Sequence, residues 1–339
     1  MGKTHVDSIL SGNLPLMARL LTQVENGTAE GLAVLNELFP YTGKAHLIGV
    51  TGAPGTGKSS LVNQIALHYR KSTQPNPKRV AIIAVDPTSP FTGGAVLGDR
   101  VRMRDLSGDP GVFIRSMASR GSLGGLAQTT ASMVQVFDAA GFEVILVETV
   151  GAGQTEVDIA RLAHTTLVVE SPGLGDEIQA IKAGILEIAD ILVLNKADMP
   201  GVDNTERALK GMLGLSHPVE KIFHHGERMV TIGGIPAASS GWVPPILRTI
   251  ATDGTGVAEL VVAIEQHAQH LHQVDEWRSR EKVRLEVELD ALLTETLAAR
   301  FRHKLPEGFF DNLVGRLVKR TLSPREAVKL LLDESENAM

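Results

Sequence analysis

The sequence predicts an α/β chain, a mostly parallel sheet with helices on both faces, plus helical extensions at the amino and carboxyl ends. Three observations predict it. Six short runs rich in Val, Ile and Leu recur between residues 46 and 196, separated by stretches of helical composition. Those runs are continuously apolar instead of alternating, the pattern of strands buried on both faces. Before residue 45 and after residue 257 the runs give way to apolar residues at helical spacing.

Each element follows from local chemistry. Within residues 1–44, Leu14, Leu16, Met17, Leu20 and Leu21 recur at helical intervals, "TAEGLAVLNELF" repeats the pattern, and Pro40 ends it. The strand runs are then "HLIGVT", "RVAIIAVD", "GVFIRSM", "FEVILVET", "TTLVVES" and "DILVLNK". Beyond residue 257, "GVAELVVAIEQHAQHLHQ" reads as a helix. "REKVRLEVELDALL" alternates like a strand, but its length and its Glu, Lys, Arg and Leu content favour a helix. A chain of 339 residues accommodates this as a helical extension (1–44), a central domain (45–257) and a carboxyl-terminal helical extension (258–339).

Composition narrows the function. Hydrophobic residues make up 43% and charged residues 21%, which excludes wholesale disorder. A net charge of −6 provides no basic field for nucleic acid or an anionic membrane, and 4% aromatic residues leave few platforms for stacking bases. The absence of cysteine removes disulfides, thiolate metal sites and cysteine nucleophiles together. No apolar run reaches membrane-spanning length and "MGKTHVDSILSGN" lacks a signal-peptide core, so a cytoplasmic location is expected.

The chemistry begins at "GAPGTGKSS", residues Gly52, Ala53, Pro54, Gly55, Thr56, Gly57, Lys58, Ser59 and Ser60, which match G-x-x-x-x-G-K-[ST] between a strand and a helix. A glycine-rich turn there lets backbone N–H groups surround a phosphate, and the helix adds its positive end. Lys58 supplies charge to the β- and γ-phosphates and the Ser59 hydroxyl a ligand for Mg²⁺, making the fold a phosphate-loop NTPase. Asp86 ends "RVAIIAVD" and Glu148 ends "FEVILVE", where a carboxylate can serve the same metal. Glu148 and Gly151 form E-x-x-G, similar to the D-x-x-G whose glycine senses the γ-phosphate. Gln154, the candidate for positioning water, stands three residues after Gly151 instead of directly after it. The backbone around Gly151 and Gly153 is therefore a second candidate.

The base is chosen by Asn195, Lys196 and Asp198, an N-K-x-D motif directly after a strand. One carboxylate accepts hydrogen bonds from guanine N1–H and N2–H₂ together, while adenine leaves it unpaired. The ligand is expected to be GTP or GDP. Thr249, Ile250 and Ala251 are the candidates for a further backbone contact to the base.

Longer segments carry a family resemblance. "VDPTSPFTGGAVLGDRVRM", "FIRSMASRGSLGGLA", "VETVGAGQTEVDIA" and "DEIQAIKAGILEIADILVLNKAD" resemble the MeaB-type GTPases, also called ArgK- or MMAA-type. The resemblance implies a dimeric, metal-binding GTPase that acts as a chaperone for an adenosylcobalamin-dependent acyl-CoA mutase, gating its loading, protection and reactivation, with no cobalamin held by the chain itself. It implies Mg²⁺ and switch positions at Ser59, Asp86, Asp99 and Glu148, and a coupling loop containing Asp176, Glu177, Gln179 and Lys182. Residues 217–241 are longer than the family pattern. Without a Gln directly after Gly151, hydrolysis is expected to be slow alone and accelerated by the partner, by about 10³–10⁵-fold where a missing group is supplied in trans. Leu285, Leu289, Leu292 and Leu293 form either a dimer arm or a packed face; the resemblance favours the arm.

Three other readings compete. A metallochaperone would use His224 and His225 or His267, His270 and His272, although histidines on a polar helix are usually solvated. A GTP-dependent kinase would need a substrate-hydroxyl site, and no segment resembles one. A nucleotide-gated scaffold would hydrolyse GTP only incidentally.

Overall fold

The computed structural model describes residues 2–71, 77–87, 103–106, 108–119, 125–149, 159–173, 186–215, 222–225, 228–231 and 241–337. Three helices come first: α1 (Gly2–Leu10), α2 (Leu14–Glu25) and α3 (Ala29–Leu38). The Asn13 side chain caps α2 by accepting from Leu16 N–H at 3.0 Å, and Thr28 caps α3 by accepting from Gly31 N–H at 3.2 Å. The β and α elements then alternate: β1 (His46–Thr51), α4 (Lys58–Lys71), β2 (Val80–Pro87), β3 (Val112–Ser119), α5 (Gly125–Ala139), β4 (Val144–Thr149), β5 (Thr165–Glu170), β6 (Ile191–Leu194) and α6 (Val202–Leu215). Strands β7 (Ile222–His225) and β8 (Arg228–Thr231) pair as an antiparallel hairpin. Strand β9 (Ile246–Arg248) and helices α7 (Val257–Gln273), α8 (Glu276–Lys304), α9 (Phe309–Val318) and α10 (Pro324–Asn337) complete the chain.

Seven strands form one parallel sheet in the order β3-β2-β4-β1-β5-β6-β9. All six predicted runs are strands of this sheet. The seventh, β9, is not among the predicted runs. It is three residues long and only partly buried, too short to show a period.

Both faces are covered. Helices α1, α2, α3 and α5 pack on the face carrying Leu47, Ala81, Ile83, Val85, Ile145 and Val147, with Met17, Leu21, Leu38 and Phe137 at the centre. The amino-terminal helices are thus three of the four helices in one covering layer. On the other face, α4 and α7 bury Leu61, Ile65, Leu260 and Ile264 against Ile48, Val50, Leu146, Leu167 and Val169. A smaller cluster seats Leu209 of α6 on Val168 and Leu192. Strand β1 lies between β4 and β5, where the chain's path across the sheet reverses, and ligands of such sheets bind beyond the carboxyl ends of the strands at that point.

The amino-terminal edge of the sheet carries a buried polar network. His46 and His267 both hydrogen-bond Thr165 Oγ1, at 2.7 and 2.9 Å. Asp190 accepts from Thr166 N–H at 2.8 Å and is bracketed by the Arg280 guanidinium at 2.8 and 3.0 Å. The His164 Nδ1 accepts from Leu47 N–H at 3.1 Å while its Nε2 meets Glu281 at 2.6 Å, and Trp277 stacks on its ring at 3.8 Å. The expectation of solvated histidines on α7 is corrected for His267, which is buried at 1% exposure and tied to the sheet; His270 is half-buried against Trp242, and His272 is exposed and stacks on Trp277.

The chain divides into two compact units, residues 1–285 and 286–339. In the second, Ser323 and Glu326 form a reciprocal capping box at the start of α10. Its exposed apolar residues include Leu289, Leu293, Leu297, Phe310, Val314 and Val318. Among the described residues, no helix is long and apolar enough to cross a membrane.

Candidate functional site

The predicted phosphate loop joins the end of β1 to the start of α4 at the reversal point of the sheet. Two of its glycines are dictated by their surroundings. Gly52 has φ 138°, and a Cβ there would lie 2.1 Å from the Val169 carbonyl oxygen. Gly57 has φ 92°, and a Cβ there would lie 2.4 Å from the Asn195 amide nitrogen. Both positions exclude side chains by collision as well as by backbone conformation. Between them, Ala53 is half-buried and Pro54 and Gly55 are exposed, while Thr56 is buried and its hydroxyl donates to the Ala53 carbonyl at 3.0 Å. The Lys58 ammonium is also buried, donating to the Gly52 and Ala53 carbonyls at 2.8 and 2.9 Å. Ser60 is exposed on the first turn of α4.

Ser59 and Glu148 meet where α4 faces the sheet. The Ser59 hydroxyl donates to Glu148 Oε1 at 2.5 Å, and Glu148 is 5% exposed. Glu148 is in register with Val50 of β1 and Ala84 of β2, which puts it on the α4 face of the sheet. The backbone of Asp86 lies two residues beyond Ala84 in β2, at the same carboxyl edge. A hydroxyl and a carboxylate offer only oxygen, the donor type that Mg²⁺ prefers, so this pair suits a hard divalent ion. Asp99, Gly151, Gln154, Asp176, Glu177, Gln179 and Lys182 lie outside the described residues.

Asn195 joins three segments that are far apart in sequence. Its amide nitrogen donates to the Thr56 carbonyl at 2.8 Å; its oxygen accepts from the Thr249 hydroxyl at 3.1 Å and from Ala251 N–H at 3.0 Å. The 249–251 stretch is further held by Ala197 N–H donating to the Thr249 carbonyl, and Ile250 bridges to Thr255. Asn195 is buried at 1% exposure, whereas Asp198 is exposed on the rim. Between them Lys196 takes φ 56°, a left-handed conformation uncommon outside glycine that turns the chain sharply after β6. The structure therefore brings the phosphate loop, the N-K-x-D motif and Thr249–Ala251 to one edge.

Sequence reasoning missed two features. It treated Asn195 only as part of a base reader, although its three described side-chain bonds are to the chain itself. It also passed over Thr51 and Thr149, both fully buried, whose hydroxyls hydrogen-bond at 3.1 Å beneath the phosphate loop. The only local signal for the pair is a threonine as the last residue of each of the two strands.

Comparison with known proteins finds relatives over most of the chain. The family model described as methylmalonyl Co-A mutase-associated GTPase MeaB matches residues 17–305. A protein of Pyrococcus horikoshii named as a GTPase is 41% identical over 330 residues, covering 97% of this chain and 96% of its own. GTPase ArgK of Escherichia coli is 32% identical over 330 residues, covering 94% and 92%. The crystal structure of an LAO/AO transport system kinase superposes with a TM-score of 0.65 at 25% identity, covering 98% and 96%. With a phosphate loop, an N-K-x-D motif and a matched family model spanning most of its length, this chain belongs to the MeaB family of methylmalonyl Co-A mutase-associated GTPases.

Proposed function

We propose that this GTPase is a nucleotide-gated chaperone of an adenosylcobalamin-dependent acyl-CoA mutase, controlling cofactor loading, protection and reactivation. The carrying observation is the match of residues 17–305 to a family described by its association with methylmalonyl Co-A mutase. In this reading the loop from Gly52 to Ser60 holds the phosphates, and Asp198, with Lys196 and the Thr249–Ala251 backbone, holds guanine. Asn195 keeps the two halves of the site at a fixed separation, because it is bonded to both.

Ser59 and Glu148, joined by Asp86 and Asp99, would hold Mg²⁺, which supplies positive charge to the phosphates. Lys58 meets the charge that develops as the terminal phosphate leaves, and Glu148 links metal state to the chain beyond β4. Gly151, Gly153 and Gln154 orient the attacking water. Asp176, Glu177, Gln179 and Lys182 carry the nucleotide state to the mutase, and the central domain at 45–257 does this work between two helical extensions. The exposed apolar residues of α8, α9 and α10 support a homodimer. The protein acts in the cytoplasm, binds no cobalamin of its own and touches neither membrane nor nucleic acid.

The test is GTP turnover by the purified chain, alone and with an adenosylcobalamin-dependent acyl-CoA mutase. Slow release of free phosphate that rises at least tenfold with the mutase is the expected result. Turnover indifferent to any such mutase would reject the chaperone role. Label passed from GTP to a partner would support a kinase instead.

A further inference from the structure

Across the middle of the sheet, one row of four buried residues runs Val85, Thr149, Thr51, Val168. The outer two are valines. The inner two are threonines, nearly the shape of valine with one methyl replaced by a hydroxyl, and Thr149 Oγ1 donates to Thr51 Oγ1 at 3.1 Å. Valine at all four places would cover the face as well without burying any polar group. Each hydroxyl therefore needs the other, since an unpaired one in this row would be costly.

Their positions say what the pair is for. Thr51 is the last residue of β1 and directly precedes Gly52, whose backbone is wedged against Val169. Thr149 is the last residue of β4 and directly follows Glu148, whose carboxylate holds the Ser59 hydroxyl. The hydrogen bond thus ties the root of the phosphate loop to the root of the E-x-x-G segment, on the opposite face from the Ser59–Glu148 contact.

We propose that Thr51 and Thr149 are positioning residues, a pair that holds Glu148 in register with the phosphate loop and passes displacement of one to the other. The proposal rests on the GTPase reading of the site. It concerns an interaction that neither the phosphate loop nor the guanine reader contains.

The test uses the full chain with Thr51→Val, Thr149→Val, the double variant and Thr149→Ser, read by melting temperature, GDP affinity, kcat for GTP and Mg²⁺ dependence. Each single valine leaves one buried hydroxyl unpaired and lowers the melting temperature. The double variant removes both hydroxyls and regains it. A positioning role predicts that the double variant still turns over about tenfold more slowly, the rate equivalent of one net hydrogen bond, and needs several-fold more Mg²⁺. Its GDP affinity stays within about twofold, and Thr149→Ser, which keeps the hydroxyl, stays within about threefold of the parent kcat. A double variant with parent kcat and Mg²⁺ dependence would overturn the proposal, leaving the pair a packing feature. Should the double variant fail to fold, Thr149→Ala replaces it, and equal losses in the alanine and serine variants would overturn the proposal. Absence of GTP turnover in the unmodified chain would reject the site reading itself, a distinct result.

Discussion

At Gly57 any side chain would strike the amide that Asn195 donates to the Thr56 carbonyl, while the backbone is held at φ 92°. Gly57→Ala is therefore expected to cost about 1–3 kcal/mol of stability and to weaken GTP binding, measurable by chemical denaturation and calorimetry. Lys58 makes a contrasting case. Its ammonium bonds two carbonyls of its own loop, which also have a helix and a strand to hold them. Lys58→Ala should leave the melting temperature within a few degrees while cutting GTP hydrolysis by at least about a hundredfold, as expected when charge at the transferring phosphate is lost. Asp198 is exposed and set on the rim by the left-handed Lys196, with its carboxylate clear of the core. Asp198→Asn places a donor against the guanine N1–H and should weaken GTP by about 10²–10³-fold with little change in stability. An unaltered affinity in that variant would remove Asp198 from the base site.

At the scale of elements, the buried network at the amino edge decides how the fold answers to acid. Burial holds His46 well below the usual histidine range, and His164 is lowered by the same cause against the opposing pull of Glu281. Geometry explains why His164 resists a second proton: its Nδ1 already accepts from Leu47 N–H, so protonation would set two donors face to face. The unfolded chain takes these protons below about pH 6.5 and the folded chain does not, so stability falls as pH drops below that value. Glu281 acts lower still. Although burial alone would raise it, the His164 and Arg284 contacts bring it down to about 2, so its stabilisation is complete above about pH 4.5 and is lost on descent towards 2. His164→Gln should flatten the stability profile between about pH 6.5 and 5, as followed by denaturant midpoints, and an unchanged slope would contradict the assignment. This network also marks where the sequence ceased to be legible. Strands β1 to β6 were readable because burial on both faces leaves a continuous apolar run. The burial of His267 depends on Thr165, 102 residues earlier, and no local pattern of α7 records that partner. Strand β9 and the β7–β8 hairpin escaped because strands of three or four residues show no period, and β9 in addition pairs with the distant β6. In the site, motif spacing located the phosphate loop and the guanine reader, whereas the bonds from Asn195 to Thr56, Thr249 and Ala251 became visible only in three dimensions.

For the whole molecule, the exposed row of Leu289, Leu293 and Leu297 at 65%, 52% and 55% is more apolar surface than one helix normally leaves to water. A homodimer through this unit predicts that Leu289→Glu with Leu293→Glu yields a monomer in sedimentation velocity while GTP binding persists. A dimer retained in that variant would move the interface elsewhere. The same fold places β1, the phosphate loop and Asn195 at one edge, so the molecule's response to nucleotide begins with which base that edge accepts. Calorimetric titration of the intact chain with GTP, GDP and ATP in the presence of Mg²⁺ tests this most directly. Saturable binding of both guanine nucleotides, with ATP weaker by at least about 10³-fold, is the predicted result. Equal affinity for ATP and GTP would contradict it.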